Sequence, residues 1–133
     1  MPESQVRAQT PWMVKNLANP LMRFTGAFPI LFVRGRRSGK VYSTPVNLLV
    51  VDSREYIVSP RGETGWSRNL RANPECEVKV KGRVRTVRAV EVDPAERGPI
   101  IAAYLEKYGS QTRGEFEKLP DPVDHPTFRL DPA

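Results

Sequence analysis

The sequence predicts an α+β domain in which antiparallel hairpins close into a small barrel. Two observations carry that expectation. Between Ile30 and Val92, short runs rich in β-branched and aromatic residues are separated by turn residues, the pattern of hairpins. The long helical patterns flank this stretch and do not alternate with its strands, which argues against a doubly wound parallel sheet. The 133 residues suit a single domain. Residues 1–28 read as a helical segment, 29–92 and 126–131 as barrel strands, and 93–109 as a helix. Closing the sheet removes most of its exposed edges.

Element by element, Thr10-Pro11 reads as an N-cap and first-turn proline. The helix they open runs through Trp12, Met13, Leu17, Leu21, Met22 and Phe24, kinked or divided at Pro20. Its apolar side is expected to pack on the domain. The thin basic side, Lys15 and Arg23, leaves weak contact with a membrane surface open. Strands follow at ILFVR, VYSTPVNLLVVD and EYIVS, joined by GRRSGK and DSR, with Pro45 marking an edge, a bulge or an irregular start.

Trp66 to Leu70 reads as a short helix stopped by Asn73-Pro74. ECEVKV and RVRTVRAVEV form a hairpin across Lys81-Gly82-Arg83. Period two places Val78, Val80, Val84, Val90 and Val92 on one face and Lys79, Lys81, Arg83 and Arg85 on the other. Asp93 is expected to cap a helix that Pro94 opens and Gly109 ends. Residues 110–125 read as a loop with a short helix near Phe116, and TFRL as the last strand.

Composition narrows the chemistry. One cysteine, Cys76, cannot form an internal disulfide, and with one histidine, His125, it cannot make a four-ligand zinc site. A Ser-His-Asp or Cys-His centre would have to use His125, which sits in the Pro-rich segment DPVDHPTF. Cys76 reads as a half-buried strand residue. Any reaction here therefore relies on a borrowed reagent. No stretch approaches the ~18 apolar residues of a membrane span, and MPESQVRAQTPW lacks a secretory apolar core. A cytoplasmic protein is expected, with membrane association through the first helix left open. Residues 1–92 hold 16 bases and 7 acids, whereas 93–133 hold 5 and 8, within a net charge of +6. A basic body with an acidic tail favours an anionic partner.

Four constellations can carry chemistry. In Gly35-Arg36-Arg37-Ser38-Gly39, two glycines permit positive φ and close backbone approach, and Arg34, Arg36, Arg37 and Lys40 crowd positive charge without an acid. Guanidinium forks and the Ser38 hydroxyl suit a phosphate or carboxylate. The spacing departs from a phosphate-binding P-loop, which excludes a nucleotide hydrolase. Ser43-Thr44-Pro45 can present side-chain oxygens to a ligand, or it is an ordinary strand irregularity. Ser59 to Leu70 is a glycine-punctuated loop entering a helix, favourable for an anion, with Arg61 and Arg68 adding charge and Trp66 reading equally as core or ligand wall. Tyr104 and Tyr108 share one helix face, as packing residues or as lining and proton donors for a pocket.

Taken in order, GRRSGK-x-YSTP, an apolar strand, SPRG and WSRNLRANP resemble the deazaflavin-dependent nitroreductase family, from about Ile30 to Leu130. The resemblance implies a mainly antiparallel six- to seven-stranded split β-barrel with flanking helices. It also implies coenzyme F(420), a deazaflavin bearing a phosphate and an acidic oligoglutamate tail. Carried over by motif, Arg36, Arg37, Ser38 and Gly39 bind the phosphate side. Ser43, Thr44, Pro45, Val46 and Asn47 follow the cofactor along the strand. Ser59, Pro60, Arg61 and Gly62 approach its ring system, while Trp66, Ser67, Arg68, Asn69 and Leu70 serve the phosphate and tail. Tyr104, Tyr108 and Ser59 are the implied catalytic residues, on the substrate side. The expected protein is an F(420)H(2)-dependent reductase, a monomer or homodimer, passing a hydride to a quinone, enone or nitro compound, with no metal. FMN or haem on the same barrel is the alternative cofactor. A nucleic-acid module using the row Lys79, Lys81, Arg83 and Arg85 is a further alternative that lacks the interleaved aromatics of a stacking platform, so no nucleic acid is expected.

Overall fold

The computed structural model describes residues 28–133; the helix expected from Thr10 to Phe24, with its membrane contact, lies outside the described residues. Strands β1 (Ile30–Arg34), β2 (Val41–Pro45), β3 (Leu49–Val51), β4 (Arg54–Val58), β5 (Glu75–Val80), β6 (Arg83–Glu91) and β7 (Thr127–Pro132) form one sheet. Its order is β2-β1-β5-β6-β7-β4-β3, and every neighbouring pair is antiparallel. Helix α1 (Gly65–Ala72) joins β4 to β5, and α2 (Arg97–Lys118) lies between β6 and β7.

That order forces the sheet to curl. β2 and β3 occupy opposite edges, yet only Val46, Asn47 and Leu48 separate them in the chain. Seven flat strands would hold their edges about 29 Å apart at ~4.8 Å per step. The extended chain from Pro45 to Leu49 reaches about 14 Å. Only a sheet that closes on itself reconciles the two, so the run read as one strand from Val41 to Asp52 becomes two strands and a crossover. The Val46 N–H donates to Pro29 O at 3.0 Å and fixes where the crossover starts.

Inside the barrel pack Leu31, Val33, Ile57, Cys76, Val78, Val87, Ala89, Phe128 and Leu130, closed off by Val46 and Leu70. Cys76 is fully buried, beyond the half burial expected, and desolvation pushes its thiol up to about 12. Helix α2 covers the outer face of β3 and β4, where Leu49 and Val58 meet Ile100, Ile101, Tyr104 and Phe116.

Two expectations are corrected. The β5–β6 turn is the two-residue pair Lys81-Gly82, both at positive φ, and it pairs Val80 with Arg83. A turn one residue shorter than expected inverts the parity of β6. Val87 and Ala89 therefore face inward with Cys76 and Val78, while Val84 joins Ile30 and Phe32 on the outer face. Val84, Val90 and Val92 do not share a face with Val78 and Val80. The basic row is split as well: Lys79 pairs with Val84, and Arg85 pairs with Val78 and bridges to Glu55 at 2.9 Å. The second correction concerns α2, which runs through Gly109 to Lys118 after a 3-10 turn at Pro94–Glu96, with no side-chain cap from Asp93. Gly109 keeps a negative φ because the apolar stripe continues past it to Thr112 and Phe116. Phe116 stacks on His125 at 4.1 Å and lies 5.9 Å from Tyr104.

Glu77 is the exception to polar satisfaction. It lies in β5 between Phe32 and Thr86, fully buried, and neither carboxylate oxygen has a hydrogen-bond partner among the described residues. Burial pushes its carboxyl up to about 8, against the pull of Arg34. The unfolded chain releases this proton near 4.5, so the folded state binds more protons between those values. Glu77 therefore lowers stability progressively as pH rises through that window. In Glu77→Gln, the melting-temperature difference, variant minus wild type, should grow from about pH 5 to about pH 8 and then level off. Thermal unfolding across that range checks it; a difference independent of pH would contradict it.

Candidate functional site

The β1–β2 turn, the edge strand β2 and the start of α1 enclose an open cleft of about 440 Å³. Its turn is closed by Gly35 N donating to Lys40 O at 2.7 Å and Gly39 N donating to Gly35 O at 3.2 Å. The two glycines serve different needs. Gly39 has φ +75°, a left-handed conformation, whereas a Cβ on Gly35 would lie 2.7 Å from the Tyr42 ring. Ser38 Oγ accepts from Lys40 N at 3.1 Å, which leaves its hydroxyl proton to donate.

Positive charge collects on one side of this cleft. Asn69 Oδ1 accepts from both Arg36 N (3.0 Å) and Arg36 Nη1 (2.7 Å), which fixes that guanidinium at the cleft wall. The Arg37 guanidinium also lines the cleft, with no ion pair to any described residue. Thr64 and Ser67 form a reciprocal capping box at the start of α1. Gly65, the first residue of that helix, lines the cleft, so the positive end of the helix faces it. Val33 and Trp66 form an apolar wall. Trp66 resolves its two readings by doing both, since its ring also packs 6.2 Å from Phe128 against the barrel interior. Among the described residues, no aspartate or glutamate lines the cleft.

Of the residues nominated from sequence, Arg36, Arg37, Ser38, Ser43, Thr44, Trp66 and Asn69 meet here. Gly39 lies in the same turn and is exposed. Pro45 ends β2, Val46 enters the barrel core, and Asn47 Nδ2 donates to the Tyr104 hydroxyl at 3.2 Å. Ser67 and Leu70 point inward and Arg68 outward from α1, so none of the three lines the cleft. The Ser59–Gly62 turn lies elsewhere. Ser59 is fully buried, its hydroxyl donates to Gly62 O, and its carbonyl meets His125 Nδ1 at 2.9 Å. Pro60 and Arg61 complete that turn outside the cleft.

Tyr104 is 1% exposed, and desolvation raises its phenol above the usual range, against the Asn47 hydrogen bond. The Tyr108 hydroxyl donates to Leu48 O. Both tyrosines thus hold the crossover between the sheet edges. Val33, Gly35, Tyr42 and Gly65 line the cleft without having been nominated for it. Gly35 stood inside the recognised turn as a backbone feature. Tyr42 and Val33 reach the cleft through strand register, which spacing alone does not reveal.

A seven-stranded antiparallel sheet curled into a half-barrel, with helices at its flank, defines a split-barrel fold. The family model for F(420)H(2)-dependent quinone reductase matches residues 5–115, and the chain belongs to that family. It is an F(420)-dependent reductase. Among solved structures, it is similar to an F(420)-H(2) dependent reductase, FDR-A, at 22% identity and TM-score 0.63, covering 77% of this chain and 92% of that one. A protein of unknown function from Agrobacterium tumefaciens, Atu2129, is 24% identical with TM-score 0.62, covering 77% of this chain and 46% of that one. A domain-swapped dimer is 17% identical with TM-score 0.59, covering 90% and 97%. These likenesses show the fold. Curated proteins give no match. No helix among the described residues is long and apolar enough to cross a membrane, and they contain no cluster of three or more metal-ligating side chains.

The Ser59–Gly62 turn makes its own prediction. Gly62 has φ +84°, and a Cβ there would lie 2.8 Å from Leu119 Cδ2 and 3.5 Å from Asp124 O. Gly62→Ala combines left-handed strain of about 1–2 kcal/mol with that contact. Chemical denaturation should show a loss of at least about 2 kcal/mol; a neutral variant would contradict this packing.

Proposed function

We propose that the cleft at Arg36 and Arg37 holds the anionic end of coenzyme F(420) and that the enzyme reduces a quinone, enone or nitro compound. The observation that carries this reading is a cleft lined by two arginines, a serine and a helix start, with no carboxylate among its described lining residues. That donor set fits a phosphate, with Arg37 supplying a guanidinium that no described acid neutralises. When bound in reduced form, the deazaflavin supplies a hydride, so the acceptor needs one further proton to complete a two-electron reduction.

The chain's own residues bind and orient. Arg36, Arg37, Ser38 and Gly65 hold the charged end, Ser43 and Thr44 direct the ligand along β2, and Trp66 with Val33 excludes water from one side. Tyr104 and Tyr108 are read as positioning residues. Their hydroxyls hold Asn47 and Leu48, and Tyr104 has almost no exposed surface. Ser59 has the same standing, because its hydroxyl is committed inside its own turn. The last proton then comes from water.

Fluorescence titration with F(420) tests the assignment. Arg37→Ala should weaken binding by about 10- to 100-fold, the worth of a charge-assisted hydrogen bond. The logarithmic dependence of affinity on salt should also become shallower. Unchanged affinity would remove the phosphate from this cleft. Consumption of reduced F(420) with a panel of quinones, enones and nitro compounds then identifies the acceptor class.

A further inference from the structure

One side chain outside the cleft bears directly on its shape. Asn73 follows the last residue of α1, and its backbone N–H closes the helix on Asn69 O at 2.7 Å. Its side-chain Nδ2 donates to Arg34 O and to Gly35 O, both at 3.3 Å. Four residues earlier on the same helix face, Asn69 Oδ1 receives Arg36 N and Arg36 Nη1. Three consecutive residues of the anion-binding turn are thus held by two amides from one helix.

The geometry points to Asn73 as a positioning residue that, with Asn69, presets the Arg34–Arg36 backbone for anion binding. The reason is electrostatic as well as steric. A carbonyl oxygen turned towards the cleft would repel an anion, and the Asn73 amide engages two carbonyls at the start of the turn. Position 73 needs a donor, since its side chain meets two carbonyls, and position 69 needs an acceptor, since it meets an N–H and a guanidinium. Aspartate at 73 could not donate to those carbonyls and would add negative charge beside the cleft. Asn73 does not line the cleft, so it acts only through the turn. Its role rests on the cofactor reading above for the identity of the anion, but not for the mechanics of the turn.

Asn73→Ala, Asn73→Asp and Asn73→Gln are titrated with F(420) and, separately, with inorganic pyrophosphate, each also in an Arg36→Ala background. Loss of the Asn73 donor should weaken binding of both probes about tenfold, the Asp variant at least as much as the Ala variant. Gln keeps a donor and should lose less, and it carries the test if Ala or Asp fails to fold. In the Arg36→Ala background the same substitutions should cost clearly less than in wild type, since part of their effect passes through the placement of Arg36. A purely structural role would leave the losses equal in both backgrounds. Equal losses, or no loss in the folded variants, would overturn the inference. If wild type binds pyrophosphate but not F(420), the cofactor reading fails while the asparagine test proceeds on pyrophosphate. If wild type binds neither, both fall.

Discussion

The three-residue crossover from β2 to β3 is the constraint on which the rest of the structure depends. It ties together strands at opposite ends of a seven-strand order, so the sheet must close. Closure puts Leu31, Val33, Ile57, Val78, Val87 and Phe128 into one interior. It also leaves β2 as an edge strand, with side chains free of a second strand neighbour and able to border a cleft. Helix α2 then guards the crossover, with Tyr104 and Tyr108 bound to Asn47 and Leu48. Burial of those aromatics against Phe116 gives the clamp its packing.

The cleft follows from the same arrangement. Helix α1 enters beside the β1–β2 turn because Leu70 anchors it in the barrel, while Asn69 faces Arg36. A second ionic layer locks that helix from behind. Arg71 bridges Glu63 at 2.9 Å and Glu91 at 2.7 Å, and Glu91 also meets the buried Arg97 at 3.0 Å. Hydrogen bonds from Arg71 hold both carboxyls below the usual range. Glu63 and Glu91 are thus paired with Arg71 and Arg97, not with the arginines that line the cleft.

Much of this was legible in the sequence, and the gaps have physical causes. β-branched runs marked most strands because most of them bury at least one face; β2, at the sheet edge, buries none. GRRSG marked the basic turn that borders the cleft because charge density and glycine spacing are local properties. Parity in β6 was misread because one residue of turn length decides which face a strand presents, and Lys81 at positive φ is not signalled by its side-chain type. Gly109 was misread as a stop because the apolar stripe beyond it finds its partners, His125 and Tyr104, only in the tertiary structure. Tyr104, Tyr108 and Ser59 carried a family resemblance, whereas their hydroxyls are engaged in holding the crossover and a buried turn.

The proposed site would seat the negative end of F(420) between the β1–β2 turn and the start of α1. A crystal structure of the enzyme with bound F(420) is the most direct measurement. The phosphate should lie within hydrogen-bonding distance of the Arg37 guanidinium and of the first backbone N–H groups of α1, with the Gly35–Gly39 turn unchanged. A phosphate seated elsewhere, with Arg36 and Arg37 facing only solvent, would contradict it.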